Sequence, residues 1–252
     1  MGATLAVASV MIAALPAVAQ ACPQPWTSQP VSDTIKNVNG IDALSPDDAW
    51  AVGILRGVPQ QVATLHWDGT AWTTIPGANP NAGDDNVLSA VAAVAADDVW
   101  AVGYTSHTVR AQAVQRDVHR TLIEHWDGTS WTAVPSPNVG KGSNVLVSIA
   151  AAGPDDVWAV GYTAKTKKRT TLVIHWNGAS WSVVPSPSPG SKSNGLLGVA
   201  AAAGGEVWAV GYRSSGRGYH PLRLHRLAGT WTVVGASGDA RGERVLTSVS
   251  LD

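Results

Sequence analysis

Apolar and polar residues alternate along most of the chain in short runs, and each run is closed by Gly, Pro, Asn or Asp. A period of two is the pattern of a half-buried strand. The stretch 144–187 shows the order most plainly. Residues 146–151 read as an apolar strand, and Gly153-Pro154-Asp155-Asp156 reads as a turn. Residues 157–162 form a second strand, with the aromatic and β-branched side chains that suit a pleated surface. A polar loop leads to a third strand at 171–176, and Asn177-Gly178 predicts a two-residue hairpin turn with positive φ. A fourth strand, 180–184, stops at Pro185-Ser186-Pro187, because proline cannot continue a ladder.

This unit is copied. Asp-Val-Trp-Ala-Val-Gly at 156–161 recurs as Asp48 to Gly53, Asp98 to Gly103 and Glu206 to Gly211. A second phrase, His66-Trp67-Asp68-Gly69-Thr70-Ala71-Trp72, recurs at 125–131, 175–181 and, in altered form, 225–231. The tryptophans of the first phrase are 50, 58 and 50 residues apart. Four antiparallel strands repeating near that period predict an all-β fold, a β-propeller of four complete blades. A β-helix would need shorter coils, and a sandwich would not repeat its sequence. The first strand of each unit is rich in small residues, as in Ala90-Val91-Ala92-Ala93, which suits the crowded centre where blades converge.

The expected blades are 37–78, 86–137, 144–187 and 195–235, within a repeat region of 37–252. Residues 22–36 read as a linker with a stray outer strand at 26–31, and 244–252 as the inner strand of a partial blade. Closed propellers complete one blade with both termini, which removes free edges. Here the intervening strands are missing. An open or truncated ring is therefore expected, most simply a fragment of a longer propeller.

Residues 1–21 read as a secretory signal, an apolar run followed by Pro16 and small residues. They carry no basic residue and are too short to leave a membrane-spanning segment in the mature chain. Cys22 is the single cysteine, so an intramolecular disulfide is excluded and a lipid anchor there is the alternative to plain secretion. The formal net charge of -1 argues against nucleic acid.

The phrasing Asp-Asp-Val-Trp-Ala-Val-Gly followed by His-Trp-Asp-Gly-Thr-Ser-Trp resembles the tectonin and Asp-box (BNR-type) propeller repeats of secreted bacterial proteins, from about Asn37 to the C-terminus. The resemblance implies the propeller fold and binding work at the cell surface or outside it, often on glycans. Asp-box turns place a residue between Asp and Gly, whereas Asp68-Gly69 and Asp127-Gly128 are adjacent, so sialidase activity is not implied.

Candidate chemistry divides into repeated and unrepeated residues. His66, His125, His175 and His225 occupy one strand position in separate blades, which suits a hydrogen bond within each blade better than a shared metal. The two tryptophan series suit packing between blades. The acidic pairs Asp47-Asp48, Asp97-Asp98 and Asp155-Asp156 are expected to accept backbone N–H bonds in their turns without calcium. No cofactor or metal is expected. Charge is distributed unevenly: fifteen of the 17 basic residues fall in the loops of one face, and half of the 18 acids in the turns of the other. Candidate ligand-binding residues are Arg110, Arg116, Arg120, Lys165, Lys167, Lys168, Arg169, Arg213 and Arg217, with the long insertion 105–120 and its His107 and His119 most prominent. The expected function is a non-catalytic binding or adhesion module for an anionic polysaccharide or cell-surface polymer. The alternatives are a propeller-type glycan hydrolase or lyase, for which no catalytic residues are evident, and a non-functional fragment.

Overall fold

The computed structural model describes residues 28–111, 114–166, 168–215, 218–235 and 244–251. Sixteen strands lie among the described residues. Blade 1 is β1 (Ile35–Ser45), β2 (Asp48–Leu55), β3 (Val62–Trp67) and β4 (Trp72–Ile75); blade 2 is β5 (Asp85–Ala95), β6 (Asp98–Ala111), β7 (Val114–Trp126) and β8 (Trp131–Ala133). Blade 3 is β9 (Ser143–Gly153), β10 (Asp156–Lys165), β11 (Lys168–Trp176) and β12 (Trp181–Val183); blade 4 is β13 (Ser193–Ala202), β14 (Glu206–Ser214), β15 (Tyr219–Leu227) and β16 (Thr230–Val233). Each blade is an antiparallel meander in chain order, and the inner strands β1, β5, β9 and β13 neighbour one another in sequence. The protein is a β-propeller of four complete blades, and among the described residues its sheets do not close into a ring.

The repeated phrase has a mechanical reason at every position. Trp100 and Val102 point toward blade 3, where Leu146, Val157, Ala159, Leu172 and Trp181 receive them; Val99 and Ala101 point toward Trp50 and Val52 of blade 1. Alternation along one strand thus feeds two cores. The glycine that ends the phrase lies opposite a β-bulge in the inner strand. A Cβ on Gly103 would stand 1.9 Å from the Val87 carbonyl oxygen, and one on Gly53, Gly161 or Gly211 meets the same obstacle at 2.0 Å. Only glycine fits.

Three expectations are revised. First, the polar loops between second and third strands are largely strand. In blade 2, β6 and β7 stay paired from Val99 opposite Trp126 to Ala111 opposite Val114, so the insertion is a projecting hairpin. Blade 3 pairs as far as Lys165 opposite Lys168. The reason is composition: Thr, Val, Tyr and His in these segments continue the strand alternation.

Second, Asp-Gly and Asn-Gly do not make two-residue turns. The connections span 68–71, 127–130 and 177–180, and in each only the glycine has positive φ. The Asp68, Asp127 and Asn177 side chains instead accept backbone N–H bonds from the residues two and three positions on, at 2.9 to 3.1 Å. These donors, the Thr70 hydroxyl foremost, hold the Asp68 carboxyl down to about 2. The divergent fourth copy is the one that makes the tight turn, with Ala228 at φ 47° and Gly229 at φ 83°.

Third, residues 28–31 carry no strand, and Trp26, Cys22 and the signal segment lie outside the described residues. The other end behaves as expected in place if not in hydrogen bonding. Arg244 N–H donates to the Tyr219 carbonyl at 3.0 Å, as Asn86 N–H donates to Gln60 at 2.8 Å in blade 2. Gly198 backs onto Ser248 as Gly40 backs onto Ala90. Residues 244–251 therefore occupy the inner-strand position of a following blade, and Val249 faces Asp42, Ala92 and Ala150 across a central channel of about 490 Å³.

Candidate functional site

The two ends of the strands differ in chemistry. At the turn end, each repeated histidine bonds the acid of its own blade: His66 to Asp48 at 2.9 Å, His125 to Asp98 and His175 to Asp156 at 2.8 Å, His225 to Glu206 at 2.9 Å. Each imidazole also lies against its blade's tryptophan, with ring centroids 4.6, 4.2, 4.1 and 4.2 Å apart. The second acid of each turn thus accepts from histidine rather than from backbone N–H groups as expected, because the side chain leaves the turn along the strand. Among the described residues no group of three or more His, Cys, Asp or Glu side chains is placed to hold a metal ion.

The loop end is built from residues that change from blade to blade. A tyrosine follows the repeated glycine in three blades: Tyr104, Tyr162 and Tyr212. Two positions before the point where the third strand pairs with that tyrosine stands a different partner each time. In blade 2 it is His119, 4.7 Å from Tyr104. In blade 3 it is Arg169, whose guanidinium lies 4.2 Å above the Tyr162 ring. In blade 4 it is Tyr219, edge-on to Tyr212 at 5.1 Å. Blade 1 has Ile54 in place of the tyrosine.

Neighbouring pairs are bolted together. Arg169 Nη1 donates to the Tyr212 hydroxyl at 3.1 Å, and the His119 and Arg169 backbone N–H groups donate to Ser143 and Ser193 Oγ at 3.1 and 3.3 Å. Burial opposes the Arg169 charge, but the Tyr212 hydroxyl and the surrounding tyrosines outweigh it and keep the guanidinium protonated. Burial also lowers the His119 pKa below the ordinary imidazole value, against the pull of Asp117, and so favours the uncharged ring.

These residues line a cavity of about 410 Å³ with His119, Tyr162, Arg169, Tyr212 and Tyr219 in its wall. A second cavity of about 510 Å³ shares Ser143, Ala164 and Thr166 with the first and continues to Arg116, Asp117, Lys141 and Lys165. Together they form one groove across the loop ends of blades 2, 3 and 4. Its floor is fixed by a buried asparagine: Asn144 Nδ2 donates to the Val139 and Gly142 carbonyls at 3.3 and 3.0 Å, and its Oδ1 accepts from Val139 N–H at 2.8 Å. Asn86 and Asn194 hold the corresponding loops of the flanking blades.

Of the candidates read from sequence, Arg116, Lys165 and Arg169 line the groove. Lys168 is exposed opposite Lys165 at the tip of the blade 3 hairpin. Arg120 lines neither cavity of the groove; it donates to the Gly142 carbonyl at 2.8 Å and lines a separate hollow with Pro80 and Asn81. Arg213 is half-buried on β14, opposite His220. Arg110 lies on β6, while Lys167 and Arg217 are outside the described residues. His107 pairs with Asp84 at 2.9 Å and ties the blade 2 hairpin to the loop that leads into β5 of the same blade. The tyrosine row escaped the sequence reading, although its signal, Tyr directly after Ala-Val-Gly, was visible three times.

No family model matches the chain, and no curated protein matches it. Among solved structures it is similar to a mutant of Aleuria aurantia lectin AAL in complex with Fucalpha1-6GlcNAc, at 15% identity and a TM-score of 0.47, over 80% of this chain. The chain spans 63% of the length of that protein. A similarity of this size leaves ligand and mechanism to the geometry of the groove itself.

Proposed function

We propose that the protein is a non-catalytic carbohydrate-binding module acting at the cell surface or in secreted form, and that its groove binds an anionic glycan. The observation that carries this reading is the Arg169 guanidinium, stacked on Tyr162 and bonded to Tyr212 inside a cavity shared by three blades. Aromatic faces take up the apolar face of a sugar ring, and a fixed guanidinium offers paired donors to hydroxyl or carboxylate oxygens. Arg116, Lys141, Lys165 and Lys168 add positive charge along the same rim.

A hydrolase is disfavoured by what lines the groove. Glycoside hydrolysis normally needs two facing carboxyl groups. Among the described residues lining the two cavities, Asp117 is the one acid, and it accepts a hydrogen bond from Thr108 at 2.9 Å. The test is affinity electrophoresis in gels containing acidic or neutral polysaccharide. Retardation by the acidic gel should weaken with salt and with Lys167→Ser, Lys168→Ser and Arg169→Ser combined. Equal retardation of parent and variant would remove the basic groove from the proposal, and reducing sugar released from any polymer would restore the enzyme reading.

A further inference from the structure

The two halves of the groove have different chemistry, and that difference specifies the order of groups in a ligand. In the half between blades 2 and 3, Arg116, Lys141 and Lys165 surround one cavity with Asp117, three cations against one carboxylate. All three cations are exposed, and none of their side chains makes a hydrogen bond or ion pair among the described residues. Lys141 sits on a loop whose backbone Asn144 has already ordered, so an arriving anion has only the side chain left to order.

In the half between blades 3 and 4 the one cation lining the cavity, Arg169, is already engaged by two tyrosines, and burial favours the uncharged form of His119. Beside the donors this guanidinium keeps for a ligand oxygen, what that half offers is aromatic. Tyr219 is 41% exposed in the cavity wall and is braced from behind by Tyr212, itself 7% exposed. Ser143, Ala164 and Thr166 border both cavities, so the two halves adjoin across these small side chains.

We infer that the groove reads an acidic sugar and an uncharged sugar side by side, the acid between Arg116, Lys141 and Lys165 and the uncharged ring against Tyr219. The inference rests on the glycan-binding reading above and names its ligand class: a heteropolymer in which uronic acid and neutral or N-acetylated residues alternate. A uniformly acidic chain would put a second carboxylate against the tyrosines, and a neutral chain would leave three cations unmatched.

Titration calorimetry with three tetrasaccharides tests it: one alternating glucuronate and N-acetylglucosamine, one of galacturonate alone, and chitotetraose. The alternating probe should bind about tenfold tighter than either of the others. Arg116→Ser with Lys165→Ser should abolish its advantage over chitotetraose and flatten its salt dependence. Tyr219→Ala should weaken both it and chitotetraose about tenfold while leaving the salt dependence unchanged. All three substitutions are at exposed positions, so melting curves should overlay the parent's. Galacturonate binding as tight as the alternating probe, or Tyr219→Ala changing only the salt dependence, would overturn the two-part groove. No binding of any probe would instead sink the glycan reading beneath it.

Discussion

The turn end and the loop end of these blades are made by the same strands, yet one is repeated and the other is varied. At the turn end, four acid–histidine–tryptophan sets recur within 0.1 Å in their acid–histidine distance. At the loop end the position facing the blade's tyrosine is His119, Arg169 or Tyr219. Repetition marks the contacts that every blade needs in order to stack. Variation on an unchanged frame marks the surface that is free to recognise something.

The largest expected effect comes from breaking the repeated end. Trp100 packs on His125, Trp176 and Trp181 at 4.2, 4.8 and 5.5 Å, so Trp100→Ala should cost about 3–5 kcal/mol in chemical denaturation. A smaller effect is expected where one blade junction departs from the repeat. Glu124 is fully buried where blade 3 has Ile174 and blade 4 Leu224, and it accepts from Ala78 N–H at 3.1 Å, where the equivalent residues of the next two blades are Pro137 and Pro187. Glu124→Leu alone leaves that N–H without a partner. It should cost about 1–3 kcal/mol less the penalty of burying a carboxyl, and adding Ala78→Pro should recover the loss. A double-mutant cycle that comes out additive would separate the two positions.

The same carboxyl carries a pH signature. Burial raises its pKa, with the Ala78 and Asn79 N–H groups pulling the other way. The folded state therefore favours the neutral form, and the stability this contributes is full below the ordinary glutamate value and lost as pH rises through the raised one. Melting temperatures of the parent should fall relative to Glu124→Gln as pH rises above the ordinary glutamate value. Least of all should stability notice the loop end. Arg116→Ser, Lys165→Ser and Tyr219→Ala should each stay within about 0.5 kcal/mol of the parent while changing ligand binding. A loss above that for any of them would blur the contrast between the two ends.

A third junction sharpens the comparison within the repeated end itself. Where blades 2 and 3 place Trp126 and Trp176, blade 4 has Arg226, whose guanidinium lies 4.8 Å from the Trp158 ring. Trp100 tilts 34° over His125 and its indole N–H has no partner, whereas Trp158 lies 27° from His175 and donates to Asp156 at 2.6 Å. Replacing a ring by a flat cation lets the buried indole settle onto its own acid.

Much of this architecture was legible in residues 37–235, because each blade repeats its strand order and its period-two alternation. The histidines could be assigned to structure for the same reason, since four copies in four blades cannot converge on one ion. The hairpin extension of blade 2 was harder to see, because its polar, threonine- and histidine-containing segments read as loop until pairing partners are known. The groove was half legible. Its cations stood out as charge, but its tyrosines looked like ordinary strand residues.

What the sequence determined by itself was the blade: strand order, the bulge glycine, the acid and histidine that lock it, and the two apolar faces of its second strand. These follow from contacts within about fifty residues of one another, where local pattern and pairing agree. Only the tertiary structure decided which varied positions meet. His119, Arg169 and Tyr219 belong to three different blades and share a cavity because blade stacking brings their strand ends together. That juxtaposition depends on the rotation from each blade to the next, a quantity set by packing between sheets and written in no single repeat.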